Sequence, residues 1–387
     1  MKQGWEYKKF DEVFNLQMGK TPDRKNPDYF GGKNVWISIR DLGDKEVSES
    51  NEHITDKAVS DTNIRKVKKG TVIMSFKLTV GKCGITAKDL YTNEAIMAFN
   101  TKEGYDINSS FLYYYLQCYN WKGSNKAVMG VTLNKATISK QHINIPPKST
   151  QLSIVSELDK INELIRLKKE QLKDYDKLAQ SIFYEMFGDP VVNDKGWEVK
   201  KLGEVCVKIT DGDHMPPPKS EAGIPFLTIS DINKETRELD FSNTYFVPRE
   251  YYNKLKEERK AKPNDLLYTV TGSYGIPVIV KDERQFCFQR HIALIRPQKE
   301  VLSTYYLCYW VLSAAVKSMA DKVATGIAQK TVGLNSIRKF EIILPPLSLQ
   351  HLFAQRIEQI EHQKLAVQKS ITDLETLLAS RMQYWFE

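Results

Sequence analysis

The sequence contains an internal two-fold repeat, and this repeat constrains the fold more than any other feature. Three short stretches recur in the same order, and the last two recur at one constant offset. They are Gly4-Trp5-Glu6 with Gly196-Trp197-Glu198, Ile145-Pro146-Pro147 with Leu344-Pro345-Pro346, and 181–187 with 380–386. A constant offset across separated stretches indicates duplication of one structural unit. The second copy is slightly longer, and it gains its extra residues before its Pro-Pro.

Each Pro-Pro is followed by a segment with the periodicity of a long helix. Apolar and aromatic residues recur alternately every fourth and third position, which is a heptad pattern. The two seams are Ile154, Leu158, Ile161, Ile165, Lys168, Leu172, Tyr175, Ala179, Ile182 and Met186, and Phe353, Ile357, Ile360, Lys364, Val367, Ile371, Leu374, Leu378, Arg381 and Trp385. Neither segment contains Gly or Pro, and seams of this length predict a coiled coil. We expect Lys168 and Lys364 to set the register or to cross the seam with their aliphatic stems.

The order of the segments predicts that the two helices pair with each other in antiparallel orientation. The first copy continues from Phe187 through Gly188-Asp189-Pro190 into the next Gly-Trp-Glu, and joining Glu387 to Met1 would make a similar connection. This quasi-circular order puts one globular region at each end of an antiparallel pair. In the alternative arrangement each helix packs only on its own globular region, which would require a much shorter seam.

The segments outside the seams are rich in aromatic, β-branched, Gly and Pro residues, which predicts compact mixed domains. Short apolar runs bounded by turn residues predict strands. These runs are 35–39, 70–75 and 95–99 in the first copy, and 225–230, 265–270 and 292–295 in the second. Aromatic residues at helical spacing predict one short helix in each copy, at 109–119 and at 303–315.

The predicted fold class is therefore α+β. We expect two mixed α/β domains, at 1–147 and 189–346, separated by an antiparallel coiled coil. The two long helices of that coiled coil are expected at 148–188 and 347–387. The whole arrangement is predicted to be pseudo-two-fold and quasi-circular.

The candidate functional residues lie in the segments that differ most between the copies. Lys and Arg suit phosphate contacts, whereas hydroxyl and amide side chains suit base edges. The candidates are Lys20, Thr21, Arg24, Lys25, Lys77, Lys82, Lys122 and Lys126 in the first copy, and Thr210, His214, Tyr274, Gln289, Arg290, Gln329 and Lys330 in the second. Each one alone is explained by a solvated loop, but as a set in two similar modules they favour DNA binding. The net charge of +8 permits this function without requiring it.

The sequence contains no complete catalytic motif. Asn26-Pro27-Asp28-Tyr29 has Asp where the methyltransferase pattern has its second Pro, and no glycine-rich S-adenosylmethionine loop follows a predicted strand. Met18-Gly19-Lys20-Thr21 resembles the end of a P-loop, but Phe14 stands where the first Gly is needed. The Glu-x-Lys spacings at 6–8 and 198–200 lack the upstream Pro-Asp of nucleases. We therefore expect no catalytic residue and no cofactor.

Cysteine and histidine usage argues against a metal site and a disulfide framework. The five cysteines have no Cys-x-x-Cys spacing, and the six histidines are scattered. His214, beside Asp211 and Asp213, is interpreted as part of a turn or as a phosphate contact. The sequence has no run of about 18 apolar residues, and its start lacks the apolar core of a signal peptide. We therefore expect a cytoplasmic protein with no membrane contact.

The order of these motifs is similar to that of the specificity (S) subunits of type I restriction-modification enzymes. The resemblance covers essentially the whole chain. It is carried by the paired Gly-Trp-Glu and Pro-Pro motifs, by Gln151 and Gln350 after them, and by the run from Phe183 to Pro190. It implies two target recognition domains, each reading one half of a split DNA site, with no catalytic activity in this subunit. The unequal copies predict that this site is asymmetric.

The same resemblance implies a set of partners. These are double-stranded DNA, two methyltransferase (M) subunits docked on the helix pair, and motor-nuclease (R) subunits in the full complex. The helix pair would set the gap between the two half-sites.

Two functions of other classes compete with this interpretation. The first is a methyltransferase or nuclease fused to recognition domains, which predicts activity of the isolated chain with S-adenosylmethionine or Mg²⁺. The second is a coiled-coil scaffold that does not bind DNA. It predicts no salt-sensitive DNA affinity, whereas DNA recognition predicts an affinity that falls steeply with salt.

Overall fold

The structure is a computed structural model that describes residues 4–121, 125–127, 130–214, 217–327 and 329–386. Of 125–127 and 130–132 it describes the backbone alone. The chain divides into two compact units. The first unit holds the chain up to Lys168 and again from Ser370 onward, and the second holds Lys169–Lys369. Within the described parts, no helix is both long and apolar enough to cross a membrane.

The first copy alternates short strands with short helices and then enters one long helix. Its elements are β1 (Glu6–Lys9), α1 (Phe10–Val13), β2 (Phe14–Met18), β3 (Phe30–Ile37), β4 (Glu46–Val47), β5 (His53–Ile54), α2 (Asp56–Thr62), β6 (Val72–Ser75), β7 (Cys83–Thr86), β8 (Tyr91–Thr92), β9 (Ile96–Thr101), α3 (Ser109–Cys118), β10 (Asn125–Ala127), β11 (Gly130–Thr132), α4 (Lys135–Ser139), β12 (His142–Ile145) and α5 (Lys148–Phe187).

A five-stranded sheet in the order β2-β9-β6-β7-β4 is the centre of the first unit. All its pairings are antiparallel except that of β4 with β7. Every residue of β6 is buried, because alternate side chains enter two different cores. Val72 and Met74 pack with the aromatic residues of α3, whereas Ile73 packs on the other face with residues of β3. Both faces of the sheet are therefore covered, which explains the continuous apolar runs in the sequence.

The second copy repeats this plan. Its elements are β13 (Glu198–Lys201), β14 (Cys206–Asp211), β15 (Ile224–Leu227), β16 (Ile232–Asn233), β17 (Glu238–Leu239), β18 (Tyr245–Val247), α6 (Arg249–Lys254), β19 (Leu266–Thr269), β20 (Pro277–Ile279), β21 (Cys287–Phe288), β22 (Ile292–Pro297), α7 (Thr304–Val311), α8 (Ala314–Val323), α9 (Leu334–Ile337), β23 (Glu341–Leu344) and α10 (Leu347–Phe386).

The central sheet of the second unit has the order β14-β22-β19-β20, which matches β2-β9-β6-β7 of the first. Its strands also alternate between two cores. Leu266 and Tyr268 pack with α7, whereas Leu267 packs on the opposite face with Phe286 and Phe288. The two-fold repeat of the sequence is thus a repeat of topology and of core layering.

The prediction of one helix at 303–315 is corrected to two helices. The chain breaks after α7, and Ser313 begins α8 by accepting a hydrogen bond from the Val316 amide at 3.4 Å. A buried serine at a helix N-cap satisfies an amide that has no partner in the helix, so it favours a new start over continuation.

A buried glutamine after each Pro-Pro makes the same three hydrogen bonds in both units. The Gln151 Oε1 accepts from the Asn108 amide, and its Nε2 donates to the carbonyls of Asp106 and Pro146. The Gln350 Oε1 accepts from the Ser303 amide, and its Nε2 donates to the carbonyls of Val301 and Pro345. Each glutamine therefore fastens the start of a long helix to the loop before α3 or α7.

In the first unit, the start of α5 packs against the end of α10. Ile154 and Leu158 share a core with Leu378, Met382 and Trp385. The Glu157 carboxylate accepts hydrogen bonds from the Arg381 guanidinium and, at 2.9 Å, from the Trp385 indole nitrogen. Phe386 closes this core, with its ring centroid 5.8 Å from that of Phe111. The end of α10 thus packs on the first copy, as the quasi-circular order predicts.

In the second unit, the end of α5 packs against the start of α10. The Phe353 ring lies 5.8 Å from Phe183 and 5.2 Å from Phe187. Within each unit the helices therefore run antiparallel, and every predicted seam position is buried or half-buried. The α+β fold with an antiparallel coiled coil is confirmed.

The lysine that interrupts the second seam is held by an ion pair. The Lys364 ammonium lies 3.0 Å from the Asp176 carboxylate of α5 and 3.2 Å from Glu361 of its own helix. Its side chain is 12% exposed, so its aliphatic stem covers the seam while its charge meets two carboxylates.

Candidate nucleic-acid interface

One end of the first central sheet gathers three loops, two of which carry predicted functional residues. β2 ends at Met18 opposite Met97, and β6 ends at Ser75 opposite Ile96. Because neighbouring antiparallel strands place the end of one beside the start of the next, the connecting loops meet at one end of the sheet. We call the loops 19–26, 76–82 and 93–95 the first loop edge.

The second unit gathers the corresponding loops at the same end of its sheet. β14 ends at Asp211 opposite Ala293, and β19 ends at Thr269 opposite Ile292. A later segment joins them, because Thr331 pairs with Thr271 in an isolated bridge. We call the loops 212–214, 270–276, 289–291, 325–327 and 329–331 the second loop edge.

A glycine at the same place lets the backbone turn closely at both edges. A Cβ on Gly19 would lie 2.2 Å from the Thr92 carbonyl oxygen, and one on Gly212 would lie 1.9 Å from that of Phe288. The following amides, of Lys20 and Asp213, donate to these same two carbonyls at 2.9 Å. The duplicated glycine therefore builds the same tight exit from the sheet, and the side chains beyond it differ.

The lysines of the first loop edge differ in how they are held. Lys20 is exposed, and its Nζ donates to the Thr62 carbonyl at 2.6 Å. Lys25 and Lys82 are exposed, whereas Lys77 is half-buried with its ammonium 5.6 Å from the Phe76 ring centroid. Thr21 donates its hydroxyl hydrogen to Glu94. Exposed ammonium groups on one edge form a surface that attracts phosphates.

Arg24 has a structural role at this edge. Its guanidinium makes two hydrogen bonds to Glu52, at 2.6 and 2.9 Å, and lies 5.0 Å from the ring centroids of Phe30 and Trp36. The hydrogen bonds that Arg24 donates to Glu52 raise the pKa of Arg24 despite partial desolvation, and the same bonds lower the pKa of Glu52. These contacts tie the 19–26 loop to β3. Arg24 therefore stabilises the loop, because its guanidinium is already paired with Glu52.

Two candidates of the first copy cannot be placed in this edge. Lys122 lies outside the described residues. Lys126 belongs to β10, where only the backbone is described. The loop after these strands does reach the edge, because the Leu133 amide donates to the Phe76 carbonyl at 3.0 Å.

Most candidates of the second copy lie at the second loop edge. Arg290, Gln329 and Lys330 are exposed, and Gln289 is half-buried. The Tyr274 hydroxyl donates to the Asp321 carboxylate at 2.5 Å, a hydrogen bond that raises the pKa of Tyr274. Thr210 is the exception. It lies within β14, where it pairs with Leu294 of β22, and it is only 7% exposed, so its hydroxyl is not accessible to a base.

His214 lies in a charged cluster that the sequence did not reveal. Its Nε2 is 2.9 Å from the Asp211 carboxylate. The Arg259 guanidinium lies 3.7 Å from Asp211 and 3.9 Å from Asp213. Burial raises the pKa of Tyr251, and its hydrogen bond to Asp213 raises it further.

Sequence reasoning missed Arg259 and Tyr251 because they are distant in the chain and belong to no motif. Their only signal in the sequence is the local density of aromatic and basic residues around Tyr251-Tyr252 and Arg259-Lys260. The two carboxylates of this cluster accept hydrogen bonds, and a base amino group is a donor that suits them.

Both copies of the repeat match a known protein family. The family model described as "Type I restriction modification DNA specificity domain" matches the chain twice, over residues 2–174 and 194–376. The MjaIX specificity subunit of a type I restriction enzyme from Methanocaldococcus jannaschii is 25% identical over 406 residues, which cover 96% of this chain and 90% of that protein.

Two solved structures share the fold over nearly the whole chain. One comes from a study of complex assembly and conformational transition of the type I R-M system; it has a TM-score of 0.62 at 18% identity and covers 100% of this chain and 98% of that chain. The other is the type I restriction-modification S subunit from M. genitalium, with a TM-score of 0.50 at 12% identity, covering 99% and 96%.

The two matches of the family model fall on the two copies of the repeat, and each match includes one loop edge. The family's function is DNA recognition without catalysis, and its members work with the M and R subunits of a type I complex. This chain belongs to the family of type I restriction-modification DNA specificity subunits.

Proposed function

We propose that this chain reads a bipartite, asymmetric DNA site, with one half-site at each loop edge. The observation that carries the proposal is the repetition of one edge in two units with different side chains on it. The first edge presents mainly lysines, whereas the second presents Gln289, Arg290, Gln329 and Lys330 beside a carboxylate cluster. Two units that share one fold but carry different side chains at their loop edges fit two different half-sites.

We assign target recognition to 1–147 and 189–346, and spacing and docking to the helices at 148–188 and 347–387. Each long helix has 40 residues, which corresponds to about 60 Å at 1.5 Å per residue. The two helices have equal length and the same glutamine brace at their start. This repetition supports a dock for two copies of one M subunit. The complex would act in the cytoplasm, where the DNA is.

The decisive experiment is sequencing of methylated bases in cells that carry this chain with its M subunit. We expect one split motif with two different halves. A contiguous motif, or no methylation that depends on this chain, contradicts the proposal.

Salt dependence distinguishes DNA contacts from other charged surfaces. We expect Lys330→Ala to weaken binding and to lower the slope of log affinity against log salt by about one. Lys299→Ala is the matched control, because Lys299 is exposed just after the far end of β22. Equal slopes for both variants would argue against the second loop edge as the DNA surface.

The spacing role has its own test. Removal of one heptad from each long helix, with the register kept, should shorten the gap between the two halves of the methylated motif. An unchanged gap would contradict the assignment of spacing to the helix pair.

The competing classes make different predictions. A fused enzyme would methylate or cut DNA as an isolated chain with S-adenosylmethionine or Mg²⁺. A scaffold that does not bind DNA would show no salt-sensitive affinity.

A further inference from the structure

A loop of the second edge holds an aliphatic side chain fully in solvent. Ile327 is fully exposed, with a relative solvent-accessible surface area of 106%. The loop is closed below it, because the Thr325 amide donates to the Thr331 carbonyl at 3.0 Å and the Thr331 amide donates back at 2.7 Å. Gly326 takes a positive φ of 110° in this turn. A β-branched aliphatic residue at such a tip contributes nothing to the core of its own chain.

This loop is fastened to the end of the central sheet. The Gly272 amide donates to the Lys330 carbonyl at 2.9 Å, and the buried Val332 donates to the Val270 carbonyl at 2.8 Å. The hydroxyls of Thr331 and Thr271 lie 3.2 Å apart. Because both strands of the loop are anchored, Ile327 occupies a defined place beyond β19.

The neighbours of Ile327 have the chemistry of a base reader. Gln329 and Lys330 are exposed beside it. In the major groove, a glutamine pairs with adenine, an aliphatic group contacts the thymine methyl, and a lysine contacts phosphate. An aliphatic anchor for a protein partner would be expected within an apolar surface, whereas the exposed residues that follow Ile327 in the chain, Gln329 and Lys330, are polar.

The first copy has an aliphatic residue at the corresponding point of its sequence. The constant offset of the repeat aligns Thr132 with Thr331, and therefore Val128 with Ile327. Val128 follows β10 and precedes β11, whose register pairs Ala127 with Gly130. Val128 itself lies outside the described residues, so this correspondence is one of sequence.

We propose that Ile327 is a specificity-determining residue that contacts the methyl group of a thymine in the recognised site. The inference rests on the proposed function and deepens it, because it names a base and the atom that is read. It predicts that the motif includes at least one A·T pair whose thymine methyl contributes to affinity.

The test uses the full chain with its M subunits and DNA that carries the methylated motif. Each thymine of the motif, on either strand, is replaced in turn by deoxyuridine, which removes only the methyl group. For the unmodified chain, we expect one replacement to weaken binding by about fourfold, the value for burial of one methyl group. The Ile327→Ala variant should lose a similar factor on the thymine DNA and nothing more on the deoxyuridine DNA.

Val207→Ala is the matched control, because Val207 is also an exposed β-branched residue but lies at the opposite end of the sheet, near the start of β14. We expect it to keep both the affinity and the sensitivity to deoxyuridine.

Several results would overturn the inference. They are an Ile327→Ala variant that binds the motif as tightly as the unmodified chain, one that keeps the deoxyuridine effect, and a motif without A·T pairs. Equal loss on unrelated DNA, or loss of the M subunits on purification, would also overturn it, because the contact would then not be to a base. If only this inference fails, the unmodified chain still prefers its motif over unrelated DNA. If the proposed function fails, the unmodified chain shows no such preference.

Discussion

Asp176 should be one of the residues that contribute most to the stability of the second unit, because two largely buried cations contact its carboxylate. Its carboxylate accepts hydrogen bonds from Arg237 at 2.5 Å and from Lys364 at 3.0 Å. The side chains of Arg237 and Lys364 are 18% and 12% exposed. Arg237 comes from the turn between β16 and β17, so Asp176 joins the recognition domain, α5 and α10 at one point. We predict that Asp176→Asn weakens both of these connections together.

The expected cost follows from the burial of the partners. Removing one member of a buried ion pair costs about 3–5 kcal/mol. Asp176 is itself 40% exposed, and Glu361 still lies 3.2 Å from Lys364, so solvent and this carboxylate offset part of the loss. We therefore expect about 2 kcal/mol, which is roughly 30-fold in the unfolding equilibrium.

The assay is urea denaturation of the second unit in the full chain, together with amide hydrogen exchange of β16 and β17. Asp174→Asn is the matched control, because Asp174 lies on the same helix and its ion pair with Lys177, at 2.9 Å, is at the exposed surface. It should cost less than about 0.5 kcal/mol. The reasoning is refuted if both variants cost the same, or if a double-mutant cycle with Arg237→Met shows no coupling.

Three further predictions concern the first unit and the repeated glutamines. The hydrogen bond that Glu157 accepts from Arg381 lowers the pKa of Glu157, although partial burial opposes this shift, so this bond stabilises the fold at neutral pH and the stabilisation is lost as the pH falls below about 4.5. Glu157→Gln should therefore cost about 1 kcal/mol at pH 7, measured by urea denaturation. A stability difference that does not shrink in acid would contradict this prediction. Gln350→Ala leaves the buried Pro345 carbonyl and two half-buried groups, the Val301 carbonyl and the Ser303 amide, without this partner, and it should cost about 2–3 kcal/mol. The exposed Gln355→Ala should cost under about 0.5 kcal/mol. Arg24→Met should destabilise the first unit but leave the salt slope of DNA binding unchanged, whereas Lys82→Ala should lower that slope by about one with little change in stability; the opposite pattern would place Arg24 on the DNA.

Much of the fold could be predicted from the sequence, because the signals that carry it are periodic and local. The heptad seams predicted two long helices, and the repeat predicted that one domain plan occurs twice. The quasi-circular order predicted antiparallel pairing, which the contacts of Phe353 with Phe187 and of Glu157 with Arg381 confirm. The break between α7 and α8 was missed because Ser313 acts through a single hydrogen bond that periodicity does not show.

The candidate site was predictable as a set of loops but not residue by residue. Most of the predicted residues that the structure describes do lie at the two loop edges, since a segment that connects neighbouring strands lies at an end of the sheet. Arg24 and Arg259 show where this reasoning stops. Each finds its carboxylate partner far along the chain, Glu52 for Arg24 and Asp211 for Arg259, and no spacing rule connects such pairs.

The sequence by itself determined the duplication, the long helices and the family, because each depends on residue order alone. Only the tertiary structure decided which side chains are available at the loop edges. It buries Thr210 within β14, pairs Arg24 with Glu52, and leaves Ile327 in solvent above an anchored turn. The physical reason is that availability depends on which distant groups the fold brings within hydrogen-bond distance, and pattern along the chain does not contain those distances.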